Sequence, residues 1–305
     1  MTNLTRRLAP YLWPLAVANI LANIGIIVTG AAVRLTGSGL GCPTWPKCTE
    51  DSFVAHSSMG INGAIEFGNR LLTYVLLAIA VLCWLAALGR KDRTSVRLSL
   101  IVALGIPLQA IIGGITVLTD LNPWIVSLHL IASLAMVMVC LALLDHLRSP
   151  TRGNAGAAAR ALATGVMVVG WIVLYLGTVV TGAGPHAGDL KARRNDLDPQ
   201  VVSHVHAASV YVLVALTLAL LLVALRTRDR WLSVVTGALL ALELLQGVIG
   251  WTQYLNGLPE LLVAVHMLMA GLLAAGFARV WLAVRAHTHS GEPHGRLLAR
   301  VMGEA

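Results

Sequence analysis

Residues 109–129 read QAIIGGITVLTDLNPWIVSLH, and residues 246–266 read QGVIGWTQYLNGLPELLVAVH. Gln109 and Gln246, Gly113 and Gly250, and His129 and His266 stand at one separation of 137 residues. Each copy is an apolar run, a short polar turn and a second apolar run with a histidine near its start. A histidine in so apolar a setting is costly unless something satisfies its nitrogens. The same step carries Asn69 to His206, and Tyr74-Val75-Leu76 to Tyr211-Val212-Leu213. The chain reads as a duplication, and its chemistry is to be sought at the duplicated polar positions.

Composition sets the medium in which this duplication folds. Charged residues make up 12% of the 305 and hydrophobic residues 57%, against about 25% charged in soluble domains. Eight apolar runs are long enough to span a bilayer, at roughly 11–33, 63–88, 98–118, 125–145, 161–183, 201–225, 231–253 and 261–284. The first is too long for a signal-peptide core and is read as a retained helix. The net charge of +8 reflects topology and not nucleic acid. With the N-terminus inside, all the Lys and Arg fall on the inner side except Arg34, Lys47, Arg70, Lys191, Arg193 and Arg194. That asymmetry predicts a multi-pass plasma-membrane protein with both termini cytoplasmic.

Four spans per half put both copies into the membrane in the same direction. The predicted fold is all-α, two tandem four-helix bundles related by a pseudo-two-fold axis along the membrane normal. The halves are residues 1–150 and 151–285, followed by a polar cytoplasmic tail, 286–305, whose three histidines read as solvated. Gly25 and VTGA at 28–31 recur as Gly177 and VTGA at 180–183, a step of 152. The first half therefore holds extra residues in its first outer loop, where specialised function is expected.

His129, His206 and His266 all open spans on the outer side, so they share a depth. Two inward histidines from alternate helices of a bundle ligate a heme iron from both sides. His206 and His266 are the candidate pair; zinc would need further ligands at that depth. His204, two residues from His206, is a rim residue. Glu66 and Asn69 share a face of the second span. Glu66 is either a partner of Arg70, four residues on, or a carboxylate aimed into the first-half pocket to handle protons. Gln109 and Gln246 are read as hydrogen-bonding groups between spans. Glu243 lies mid-span, and its repeat position holds Ile106. Cys42 and Cys48 enclose CPTWPKC on the oxidising side, as a structural staple or a redox pair. Cys83 and Cys140 are small apolar residues.

VRLTGSGLGCPTWPKC after the first span, EFGNR in the second, and histidines in the fourth, sixth and eighth resemble the heme A synthase family over nearly the whole chain. The resemblance implies oxidation of a methyl group of heme O to the formyl group of heme A by successive hydroxylations. It implies heme b as cofactor on His206 and His266, with both heme sites near the outer face. It implies heme O on His129, with Glu66 as the catalytic acid and Cys42 and Cys48 as the outer-loop pair that passes reducing equivalents or contacts substrate. Heme O synthase, an electron donor and membrane lipid would be its partners. Arg34 and Arg70 are candidate propionate partners. The family motif ExxHR carries a histidine where this chain has Asn69, so the other face of the substrate iron falls to Asn69 or His56, or stays open. A b-type cytochrome that only moves electrons is the alternative reading.

Overall fold

The computed structural model describes residues 3–148 and 155–285, and among these every regular element is helical. The predicted tail, with its three histidines, lies outside the described residues. A short helix α1 (Asn3–Leu8) precedes the eight long ones: α2 (Leu12–Leu35), α3 (Gly60–Arg90), α4 (Arg93–Leu118), α5 (Pro123–Arg148), α6 (Ala157–Ala183), α7 (Pro199–Arg226), α8 (Arg230–Leu255) and α9 (Glu260–Ala283). All eight are long and apolar enough to cross a membrane. Several outlast the apolar runs that predict them, because the helix continues to a polar cap that hydropathy excludes. Asp92 accepts from the backbone of Thr94 and Ser95, Asp198 from Gln200 and Val201, and Asp229 from Leu232. Burial raises the Asp92 carboxyl, but hydrogen bonds from Ser95 and His146 outweigh it and hold the group below its usual range.

In each half the helices close a ring of neighbours, α2–α3–α4–α5 and α6–α7–α8–α9. α3 and α5 are therefore diagonal across the first bundle, and α7 and α9 across the second. The halves meet through α5 on α9, flanked by α2 on α9 and α5 on α6. Exchanging the halves maps this set of neighbours onto itself, the pattern expected of parallel repeats. The turns repeat as well. Leu121 (φ 56°) and Leu258 (φ 62°) are both left-handed. Each donates its N–H five residues back, to Thr116 O and Gln253 O, both at 2.8 Å. A Schellman-type end that costs a leucine about 1–2 kcal/mol is thus kept in both copies.

Polar contacts tie the halves at both ends, Gly39 N–H to Gly188 O at 2.8 Å among them. At the end carrying the basic loops, Arg279 of α9 donates to the buried carboxylate of Asp145 on α5, and its guanidinium lies 4.7 Å over the Trp231 ring. At the opposite end, which carries the disulfide, Arg34 of α2 donates to His186 O and, at 2.6 Å, to Thr181 O of the second half. Between these ends the apolar core runs through both bundles. Phe277 occupies a place on α6 that only Gly170 leaves free, since a methyl there would sit 2.8 Å from the ring.

Candidate functional site

His129, His206 and His266 each lie in the second turn of α5, α7 and α9, at the disulfide end. Each ring is seated edge-on against a glycine of the preceding helix. A methyl on Gly113 would stand 3.4 Å from His129 Cε1, on Gly177 3.3 Å from His206 Cε1, and on Gly250 3.1 Å from His266 Cε1. Three copies of one Gly–His seat are thus built by three helix pairs. The duplicated glutamines complete two of them: Gln109 donates to His129 O at 3.1 Å and Gln246 to His266 O at 3.0 Å. The fourth copy is altered. Gly25 of α2 is the counterpart of Gly177, but a methyl there would meet nothing within 4 Å. Asn69, in place of the histidine, accepts from Thr29 Oγ1 at 2.8 Å.

The helix rings put these side chains where a shared ligand could lie. His206 and His266 stand on the diagonal helices of the second bundle. Asn69 and His129 occupy the matching diagonal of the first bundle. Nδ1 of all three histidines is buried without a hydrogen-bond partner, an expense of about 1–3 kcal/mol for each nitrogen. Ligation of an iron by that nitrogen would offset the cost. Among the described residues no three His, Cys, Asp or Glu side chains cluster as a bare ion requires, whereas a heme iron asks the protein for one or two axial ligands only. The donor set fits heme. His204 is exposed, with its ring tilted against Tyr254.

The disulfide loop closes the first bundle in a way the sequence reading did not reach. Cys42 and Cys48 are bonded and fully buried. Glu66 turns toward this loop: Oε2 accepts from Cys42 N at 2.6 Å and Oε1 from Arg70 Nη2 at 2.5 Å. Arg70 in turn donates to the carbonyls of Cys42, Thr44 and Lys47. The pairing of Glu66 with Arg70 is the one observed, and both ends of that pair are spent on holding the loop. Arg34 donates through Nε and Nη2 to backbone carbonyls of the second half, and Arg70 through all three nitrogens to Glu66 and the loop. Trp45, at the loop's centre, packs on Gly114, where a methyl would lie 2.4 Å from the indole. Gly114 adjoins the glycine that seats His129, so the loop packs on α4 beside that seat. One signal for this was present: the repeat position of Gly114 is Trp251, and the first half has exchanged bulk on the helix for bulk from the loop. His56 is exposed and precedes α3, while Asn69 lies nine residues, about 13.5 Å, further along that helix. His56 is therefore not brought into the Asn69–His129 layer.

Fold and site define a class, that of a duplicated multi-pass helical membrane protein with a histidine pair across one bundle and a single histidine in the other. The chain matches the family described as "Cytochrome oxidase assembly protein" (COX15-CtaA) over residues 14–64 and 58–188, more than half of its length, and it belongs to that family. It is 30% identical over 181 residues to a protein named heme A synthase from Bacillus pumilus, a match covering 54% of this chain and 57% of the relative. Proteins of the same name from Lysinibacillus sphaericus (35% over 118 residues, 38% of each chain) and Shewanella oneidensis (32% over 142 residues, 42% of each) are also similar. The chain spans about half the length, or less, of the curated relatives it matches.

Proposed function

We propose that the chain is a heme A synthase, an oxidoreductase that converts a methyl group of heme O to the formyl group of heme A for cytochrome oxidase. The observation that carries this reading is the unequal pair of diagonals, His206 with His266 in one bundle and Asn69 with His129 in the other. A pure electron carrier has no use for a bundle with half a ligand pair, nor for a disulfide-closed loop held beside it by Glu66 and Arg70.

In this reading His206 and His266 would hold heme b, which would supply one-electron redox chemistry. Their glycine seats fix the ring edges, and Gln246 holds α8 to α9 at the carbonyl of His266. In residues 1–150, His129 holds the iron of the substrate heme, and Gln109 fixes that helix in the same way. An amide is a poor iron ligand and Asn69 is bonded to Thr29, so the opposite face stays open for oxygen chemistry. Trp45 and the disulfide loop brace α4 beside the His129 seat. Glu66, the catalytic acid of this reading, keeps the loop in place through Cys42 and Arg70. In this reading both termini are cytoplasmic and the heme sites lie near the outer face of the plasma membrane, which the basic loops support.

The test is the visible spectrum of the purified protein and three variants. His206→Ala and His266→Ala should each abolish the low-spin b-type spectrum, while His129→Ala should keep it and lose heme O conversion. Equal loss of heme in all three would overturn the division between the halves.

A further inference from the structure

One buried acid has no part in this account. Glu243 of α8 is 3% exposed, in the middle of a membrane-spanning helix. Thr217 of α7 donates to its Oε1 at 2.8 Å, and its Oε2 is buried with no partner. The repeat positions of this pair are Ala80 and Ile106, both buried and apolar. The same scaffold therefore packs without the carboxyl, and only the second half has taken it on. A buried carboxyl with one oxygen unsatisfied costs stability that a structural role would not require.

Its position along α8 gives it a role. Gly250, the seat of His266, lies seven residues on, two turns along the same face and about 10.5 Å along the axis. Gln246, one turn from Glu243, donates to His266 O and leaves its own Oε1 buried and unpartnered. Thr236, seven residues before Glu243, has a buried hydroxyl with no partner either. Thr236, Glu243 and Gln246 make a stripe of unsatisfied polar atoms running from the basic end toward the histidine layer. The helices packed on α8 bring few other charges to Glu243. α7 offers the neutral Thr217, with His206 eleven residues away. α9 offers His266 on one side and, on the other, Arg279, already engaged by Asp145 and stacked on Trp231. Charge added to an iron between His206 and His266 would reach Glu243 through a poorly screening interior.

We propose that Glu243 is a proton-binding site linked to the redox state of the second half. Its carboxylate takes up one proton on Oε2, through the Thr236 side, when the iron held by His206 and His266 accepts one electron from an external one-electron donor. Both leave on reoxidation, so the added charge is neutralised in place. This rests on the heme-ligating reading of the two histidines.

The experiment is a potentiometric titration of the purified heme-loaded protein at a series of pH values, with infrared redox-difference spectra from the same cell. Dithionite and ferricyanide serve as reductant and oxidant. In the wild type the midpoint potential should fall with rising pH, approaching about 59 mV per tenfold change in proton concentration for one proton per electron. Glu243→Gln should flatten that dependence and remove a carboxylic-acid carbonyl band from the difference spectrum. Thr217→Val, which keeps the acid but deletes its donor, should shift the band. Identical pH curves in wild type and Glu243→Gln, with no carboxylic-acid band, would overturn the proposal while the heme spectrum stood. Should Glu243→Gln fail to load heme, an unshifted band in Thr217→Val is the overturning result. Failure of the ligand reading is distinct: the wild type would show no heme spectrum dependent on His206 and His266, and both conclusions would fall.

Discussion

Asn69 is the residue at which the duplication was broken. Its counterpart His206 sits on Gly177, whereas Gly25 meets no side chain and Thr29 has turned onto the Asn69 amide. Space for an imidazole thus remains. Asn69→His should restore the fourth seat, give a six-coordinate low-spin heme in the first bundle and slow turnover. A spin state unchanged by that substitution would show that the open face is not set by residue 69. Glu66→Gln tests the neighbouring carboxylate. Half of its clamp on the loop is lost, at about 2–3 kcal/mol for weakening a largely buried ion pair, so a reductant should open Cys42–Cys48 faster. The coordination state should not change, because the carboxylate binds loop and arginine and no ligand. Such pairings were only half legible in the sequence. Spacing put Glu66, Asn69 and Arg70 on one helix, but which partner each takes depends on a loop some 24 residues away, and no periodicity encodes that.

Among the elements, helix identity was plain and helix meeting was not. Apolar runs and the 137-residue step were enough for eight spans, two bundles and the histidine layer. The helix ends extended past the runs because Asp92, Asp198 and Asp229 cap them, and α1 escaped because six residues carry no spanning signal. The glycine seats are a property of pairs of helices. They predict a graded series read by heme spectra. Gly250→Ala, with the closest approach to its histidine, should perturb heme b more than Gly177→Ala; Gly113→Ala should leave the b-type spectrum intact. Gly114→Ala meets the indole of Trp45 and should lift the loop, lowering heme O conversion with the b-type spectrum unchanged. An equal effect of all four would mean that the glycines serve general packing and not the rings.

At the scale of the whole molecule, one scaffold was used twice and then made unequal. The first half has the longer loop with its disulfide and Trp45, and an asparagine at 69. The second has both histidines, and Glu243 with Thr217, where the first has Ile106 and Ala80. Arg34 and the Asp145–Arg279 pair join the two at opposite ends. Neither contact was legible from sequence, since each joins residues more than 130 positions apart. The central claim is that residues 1–150 convert heme O while residues 151–285 serve them. The most direct measurement is chromatography of hemes extracted from membranes of a host that makes heme O and lacks any converting enzyme. With the wild-type chain expressed, heme A should appear, and with His129→Ala only heme O and heme B should remain. Heme A formed by His129→Ala, or none formed by a wild-type chain that carries its b-type spectrum, would contradict the account.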